Sequence, residues 1–207
     1  MADDDGRVGL LFNYPPAIAR NRAVAGFDIP NNFQIGGVYE LPFGPGKMYL
    51  QHGVAGHVFG GWQLNGTFAV YSGLPFTVTA SGTSLNAPNN TQTADQVLPT
   101  VAQLGGIGPG HPYYDPNAYA PVTAVRFGTS GRNTLRAPMT INTNLSIFRT
   151  FPINERIHLQ FRGESYNLSN TPHFLAPNAN VSAGNFLVIT SANTDQRQFR
   201  FALKLSF

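Results

Sequence analysis

Phe199-Arg200-Phe201-Ala202-Leu203-Lys204-Leu205-Ser206-Phe207 closes the chain. Phe199, Phe201, Leu203, Leu205 and Phe207 take every second position, with Arg200, Ala202, Lys204 and Ser206 between them. Successive side chains of a strand point to opposite faces, so this stretch reads as a strand with one apolar and one polar face. No polar tail follows Phe207. Soluble folds usually fray at their termini, so a strand running to the last residue favours a different setting.

Working outward, the same period of two recurs. Ile157, Leu159, Phe161 and Gly163 alternate with His158, Gln160, Arg162 and Glu164; Ile141, Thr143, Leu145 and Ile147 alternate with Asn142, Asn144, Ser146 and Phe148. Trp62, Leu64, Gly66, Phe68 and Val70 form an apolar face that continues through Leu74, Phe76 and Val78, against Gln63, Asn65, Thr67 and Tyr71. Phe33, Ile35, Gly37, Tyr39 and Leu41 stand against Gln34, Gly36, Val38 and Glu40, and a weaker pattern uses Val8, Leu10, Phe12 and Tyr14. Helical spacing is scarce, and 22 Gly and 16 Pro among 207 residues interrupt the windows long enough to hold a helix. The expectation is an all-β antiparallel meander of about six long strands, near 7–14, 32–41, 62–78, 140–151, 156–167 and 197–207.

Connections alternate in length. Pro152 and Asn154 mark a tight turn, and Gly44-Pro45-Gly46 marks another within the intermediate segment from Pro42 to Gly61. By contrast, residues 79–138 form one long connection rich in Asn, Pro, Gly and Thr, and a second of about 28 residues separates Leu168 from Arg197. A soluble domain rarely carries so long a loop. Short turns on one side and long loops on the other are the pattern of a transmembrane β-barrel, with turns facing the periplasm and loops facing outside. A tilted strand of about nine residues spans a bilayer.

Charge supports this reading. Only 11% of residues are charged, and Met48–Ala94, 47 residues, contains no Asp, Glu, Lys or Arg; soluble domains carry about 25%. Mean hydropathy is only −0.12, so amides, hydroxyls and glycines replace the missing charge. On the apolar faces quoted above no charged residue stands. A Lys or Arg facing lipid at mid-depth costs about 2–4 kcal/mol. The opposite faces hold Gln63, Asn65, Thr67, Asn142 and Asn144, which suit a hydrated lumen or a barrel packed around a plug. Tyr39, Phe43, Trp62, Phe151 and Phe207 fall near the short-turn side, and Tyr14, Phe33, Phe76 and Tyr166 near the long-loop side. Barrels carry aromatic girdles at both interfaces. A soluble antiparallel sandwich also alternates, so a sandwich used for binding or adhesion stands as the alternative, together with a passive porin-like channel.

Other classes fit poorly. Net charge is +3 with Lys and Arg thinly spread, unlike the clustered footprint of a nucleic-acid binder. No apolar run reaches the 18 or so residues of a membrane helix, and there is no Cys for a disulfide scaffold. His52, His57, His111, His158 and His173 form no metal-ligand spacing with carboxylates. Gly44-Pro45-Gly46-Lys47 lacks the rest of a phosphate loop, the Gly105–Gly110 run lacks a strand-then-helix context, and no G-x-S-x-G motif marks a hydrolase. No enzyme activity and no cofactor are expected. Arg162, Glu164, Arg200 and Lys204 are candidate lumen-facing groups: either they contact a plug or solute, or they form a charge ladder between the last two strands. The connection 79–138 reads either as an outer ligand-binding loop or as a solvated loop of no specific role.

Gly60-Gly61-Trp62-Gln63-Leu64-Asn65-Gly66 followed by Ser72-Gly73-Leu74-Pro75-Phe76 resembles a strand of TonB-dependent outer-membrane receptors, in the Oar-like group with an N-terminal carboxypeptidase-regulatory-like domain. Tyr39-Glu40-Leu41-Pro42-Phe43-Gly44, Gly131-Arg132-Asn133, Leu159-Gln160-Phe161-Arg162-Gly163-Glu164, Asn167 and Asn170-Thr171-Pro172 are similar to the same group and occur in its order. The final nonapeptide is similar to the barrel-assembly signal, carried by Phe199, Phe201, Leu203, Leu205 and Phe207, with Ala202 where Gly is usual. The resemblance spans about Phe27 to Phe207. It implies that residues 1–207 are the C-terminal part of a transmembrane β-barrel of 22 strands with an internal plug, in the bacterial outer membrane. Six strands alone leave two open edges, which lipid does not tolerate. Met1-Ala2-Asp3-Asp4-Asp5, followed by no signal-type apolar stretch, is therefore expected to be an internal or fragmentary start. The implied partners are outer-membrane lipid, the barrel-assembly machinery, the TonB energy-coupling system acting through a plug encoded upstream, and an unidentified scarce solute.

Overall fold

The computed structural model describes residues 15–87, 90–193 and 196–207. Its strands are β1 (Asn32–Glu40), β2 (Trp62–Tyr71), β3 (Pro75–Phe76), β4 (Asp95–Gln96), β5 (Tyr119–Ala120), β6 (Leu135–Arg136), β7 (Thr140–Pro152), β8 (His158–Tyr166) and β9 (Gln198–Ser206). Among the described residues there is one α-helix, α1 (Gly53–Phe59), besides short 3-10 turns. The expected strand near 7–14 lies outside the described residues.

The chain divides into two compact units. The first is a five-stranded sheet in the order β1-β2-β7-β8-β9, built from Asn32–Tyr71, Ile141–Pro172 and the stretch ending at Phe207. Register keeps the alternation intact across it. On one face Phe33 stands opposite Val70, Ile35 opposite Phe68 and Tyr39 opposite Leu64; Ile147 opposite Gly163 and Phe151 opposite Leu159; Leu159 opposite Leu205, Phe161 opposite Leu203 and Gly163 opposite Phe201. On the other, Ser146 Oγ donates to the Asn65 carbonyl at 3.4 Å and Asn144 Nδ2 to Thr67 Oγ1 at 3.2 Å, so amides and hydroxyls of β2 and β7 meet. Gly163 fits because a Cβ there would press on the Ile147 and Phe201 side chains at 3.3–3.4 Å.

The strand ends share two edges. Glu40, Trp62, Pro152, His158 and Ser206 lie at one, joined by residues 41–61 and by the turn 153–157. In that turn Asn154 Oδ1 accepts from the Arg156 and Ile157 amides at 2.9 and 2.7 Å, an Asx turn that explains why Asn sits there. The opposite edge feeds the long connections.

The second unit comprises the described residues up to Asn31 together with Ser72–Thr140 and His173–Asn193. It corrects the expectation of one continuous strand over 62–78. The strand ends at Tyr71, the chain bends at Ser72-Gly73-Leu74, and Pro75 and Phe76 pair instead with Arg136 and Leu135. Gly73 is required at the bend: a Cβ would lie 1.8 Å from the Ala137 carbonyl oxygen. Leu74 donates no strand continuation; its carbonyl accepts from the Ala137 amide at 2.9 Å.

Residues 79–138 are likewise more than a loop. Val78, Ala94, Tyr113, Tyr114, Ala118, Tyr119, Leu135, Phe186, Leu187 and Ile189 form a buried cluster, with Val78 and Leu187 wholly inaccessible. Buried backbone needs partners, and it finds them between segments distant in sequence. The Tyr113 amide donates to the Leu187 carbonyl at 2.8 Å, Thr79 to Ala179 at 2.8 Å, Val181 to Thr79 at 2.9 Å and Ser130 to Ala94 at 2.9 Å. Side chains complete the stitching. Gln92 Nε2 donates to the Arg126 carbonyl at 2.8 Å while its Oε1 accepts from the Gly128 amide at 3.0 Å. Thr77 Oγ1 donates to Asn133 Oδ1 at 3.1 Å and accepts from the Asn133 amide at 2.9 Å.

Candidate functional site

The apolar face of the sheet is unusual because it is not buried. Phe201 is 74% exposed, Leu203 69% and Ile35 59%. An exposed apolar patch of this extent marks an interaction surface rather than a core. Of the five residues that the sequence marks as an assembly signal, Phe199, Phe201, Leu203 and Leu205 point to this face of β9, in register with Ser165, Gly163, Phe161 and Leu159, and Phe207 follows the strand, exposed.

At the edge bearing the short turn, Tyr39, Trp62 and Phe151 stand on that same face, at or near strand ends. Trp62 meets Phe161 edge-on at 5.8 Å between centroids. Phe43 is placed differently: it lies in the turn, 6.2 Å from Tyr49. Of the aromatics expected at the other edge, Phe33 near the start of β1 and Tyr166 at the end of β8 lie there, and Phe76 does not. Phe76 packs beside the buried cluster, 6.3 Å from Tyr114, and Tyr166 stands opposite Gln198 on the polar face. Tyr14 lies outside the described residues.

The apolar face also carries one charge that the quoted faces stopped short of. Two positions beyond Ile147, Arg149 faces Phe161 in register. Its guanidinium lies 4.2 Å from the Phe151 ring centroid and 5.5 Å from that of Trp62, and it donates to the His57 and Val58 carbonyls at the end of α1. A long stem with its head turned to the edge is how arginine reconciles apolar surroundings with charge.

The polar face brings together the four lumen-facing candidates. Arg162 and Glu164 of β8 stand opposite Ala202 and Arg200 of β9, and Lys204 opposite Gln160. The expected ladder is modified by Tyr166. Its hydroxyl donates to Glu164 Oε2 at 3.0 Å, and the Arg200 guanidinium sits 4.8 Å from its ring centroid; among the described residues no ion pair joins Glu164 to Arg200. Arg162 Nε donates to Gln160 Oε1 at 2.7 Å and its guanidinium lies 5.1 Å from the Phe148 ring. The row thus holds Arg162, Arg200 and Lys204 beside a single carboxylate, Glu164, which is bonded to Tyr166.

In the second unit, Asp95 accepts from both guanidinium nitrogens of Arg126, at 2.8 and 2.7 Å, and from the Thr129 amide at 3.0 Å. The bidentate guanidinium holds its carboxyl below the usual carboxylate value. Burial pushes the phenols of Tyr113, Tyr114 and Tyr119 upward, so all three stay neutral. A shallow hollow of about 540 Å³, whose lining includes Pro109, Pro112, Pro116, Phe186 and Val188, opens on this unit. Among the described residues no cluster of three or more His, Asp or Glu could hold a metal ion, and no helix is long and apolar enough to cross a membrane.

Sequence reasoning missed the folded second unit. Phe186-Leu187-Val188-Ile189, four apolar residues bounded by turn formers, was the available sign of it.

An antiparallel sheet with an exposed apolar face, an amide-rich opposite face and long segments at one edge defines a transmembrane β-barrel wall. The chain matches the model of the outer membrane beta barrel domain over residues 2–200. It belongs to that family, and its place is the bacterial outer membrane. No curated protein and no solved structure matches the chain.

Proposed function

We propose that the chain is the C-terminal part of the barrel wall of a TonB-dependent receptor, which captures a scarce solute at the cell surface and imports it with energy from the inner membrane. The observation that carries this beyond a generic barrel is the folded second unit. Long outer connections are common to outer-membrane barrels, and a passive pore needs only an open lumen beneath them. A receptor needs ordered outer segments that present a binding surface, and here those segments have a core of their own with Leu187 inaccessible. Several stretches that resemble the receptor family do specific structural work: Gly73 admits the backbone bend, and Asn133, of Gly131-Arg132-Asn133, bridges Thr77 and the Val24 carbonyl.

In this reading the outer face of β9 is the assembly signal, and Tyr39, Trp62 and Phe151 are the girdle on the turn side. Arg162, Arg200 and Lys204 face the plug as fixed cations. No catalytic residue and no cofactor are involved.

Planar-bilayer recordings on the full-length receptor test the proposal. A plugged receptor shows no steady conductance until the plug is unfolded by mild denaturant. A stable open conductance in untreated protein would refute it in favour of a porin-like channel.

A further inference from the structure

We propose that residues 48–59, centred on α1, form a membrane-interface anchor that lies in the leaflet at the short-turn edge and contacts phospholipid. The inference rests on the family's membrane setting and not on the receptor reading.

Three observations carry it. The first is where the helix is tied. Arg149 and Trp62 both stand on the apolar face of the sheet, and both reach the terminal carbonyls of α1: Arg149 bonds His57 and Val58, and Trp62 Nε1 donates to the Val58 carbonyl at 3.1 Å. The end of the helix is therefore held on the lipid-facing side, continuous with the surface that contacts the bilayer. A cation against terminal helix carbonyls is also favourable in its own right.

The second is how much apolar surface the segment leaves open: within residues 48–59 only Gly56 is buried. A Cβ on Gly56 would lie 2.2 Å from the Leu50 carbonyl oxygen, and one on Gly60 would lie 2.7 Å from the Gly44 Cα. The backbone is folded so tightly on itself that it shelters no side chain. Val54, Val58 and Phe59 are 80, 51 and 57% exposed, and Met48 is 72% exposed. Val54 and Val58 share a face at i, i+4 spacing. Among the described residues nothing covers these groups.

The third is charge. No carboxylate occurs from Met48 to Ala94, so nothing in the segment repels anionic headgroups. An amphipathic interfacial helix sinks about 5–10 Å into the boundary between headgroups and acyl chains. Arg149, snorkelling from the lipid face, would then act as the clamp that fixes the depth.

The chain has no Cys, so single thiol labels can be placed at will. Fluorophores on Val54→Cys and Val58→Cys, in the full-length protein reconstituted in phosphatidylethanolamine–phosphatidylglycerol vesicles, are expected to be quenched more by a headgroup-level lipid quencher than by a deep one. They are expected to resist aqueous iodide. Phe201→Cys serves as the lipid-facing reference and Asn144→Cys as the water-facing one. Arg149→Gln is expected to release the Val58 label to iodide while leaving the Phe201 label unchanged. If labelling prevents assembly, a benzophenone amino acid at position 58 in intact cells gives the same answer: a phospholipid adduct supports the anchor. Iodide quenching at Val54 and Val58 equal to that at Asn144, or a benzophenone adduct to a polypeptide, would overturn it.

Discussion

The two units use the same kinds of residue in opposite ways. In the unit built from the long connections, Leu187 is wholly buried and Ile189 nearly so; in the sheet, Phe201 and Leu203 lie open. One unit satisfies its apolar groups within the chain, by threading segments far apart in sequence around a shared cluster. The other leaves them for a solvent that is not water. Exposure of an apolar face thus reads as a defect only if water is assumed; in the outer membrane, it is the bilayer contact.

This contrast can be attacked from either side. Leu187→Ala should have the largest effect, about 2–5 kcal/mol, the range for emptying a core site. Amide hydrogen exchange in the full-length protein should show that loss in residues 78–80, 92–94 and 178–189, with β7 to β9 unaffected. Next, Leu203→Arg puts a charge near the middle of β9 and should cost about 2–4 kcal/mol of folding in lipid, measured by denaturant titration in vesicles. The neighbouring Lys204→Arg, on the polar face, should be neutral. Equal costs at 203 and 204 would erase the distinction between faces.

A smaller effect concerns Asp95. Because Arg126 depresses its folded-state value, the stability it contributes is complete above the ordinary carboxylate value of 3.8 and is lost as pH falls through the lower folded value. Exchange protection around Gln96 and Thr129 should therefore fall only in strong acid, and Asp95→Asn should remove that acid dependence. Since the Arg126 side chain is 50% exposed, the contribution should be about 1 kcal/mol or less. The smallest expected change is Tyr166→Leu, which removes an aromatic seat for Arg200 worth about 0.5–1 kcal/mol at an exposed site, read as a shift in thermal midpoint.

Much of the sheet was legible in the sequence because alternation is a local property. Phe199 to Phe207 and Ile157 to Glu164 announce their faces within nine residues, and the observed bounds differ from the expected ones by only a residue or two. The strand expected to run to Val78 failed for a non-local reason. Leu74, Phe76 and Val78 keep the period of two, but Gly73 sits where the Ala137 backbone passes, and no local pattern records a neighbour 64 positions away. The second unit was hidden in the same way. Its core draws on Val78, Ala94, Tyr114, Leu135 and Leu187, too widely spaced to form a period, and its polar composition disguised it as loop. Arg149 was overlooked because its face looked complete at Ile147.

The central claim is that the two faces of β9 meet different solvents. It is tested most directly by placing single cysteines from 199 to 206 in the full-length protein in outer membranes and labelling with a membrane-impermeant thiol reagent. The account predicts labelling that alternates with period two, with positions 200, 202, 204 and 206 reactive and positions 199, 201, 203 and 205 protected until detergent is added. Uniform reactivity along the strand, or protection of the even positions instead, would contradict it.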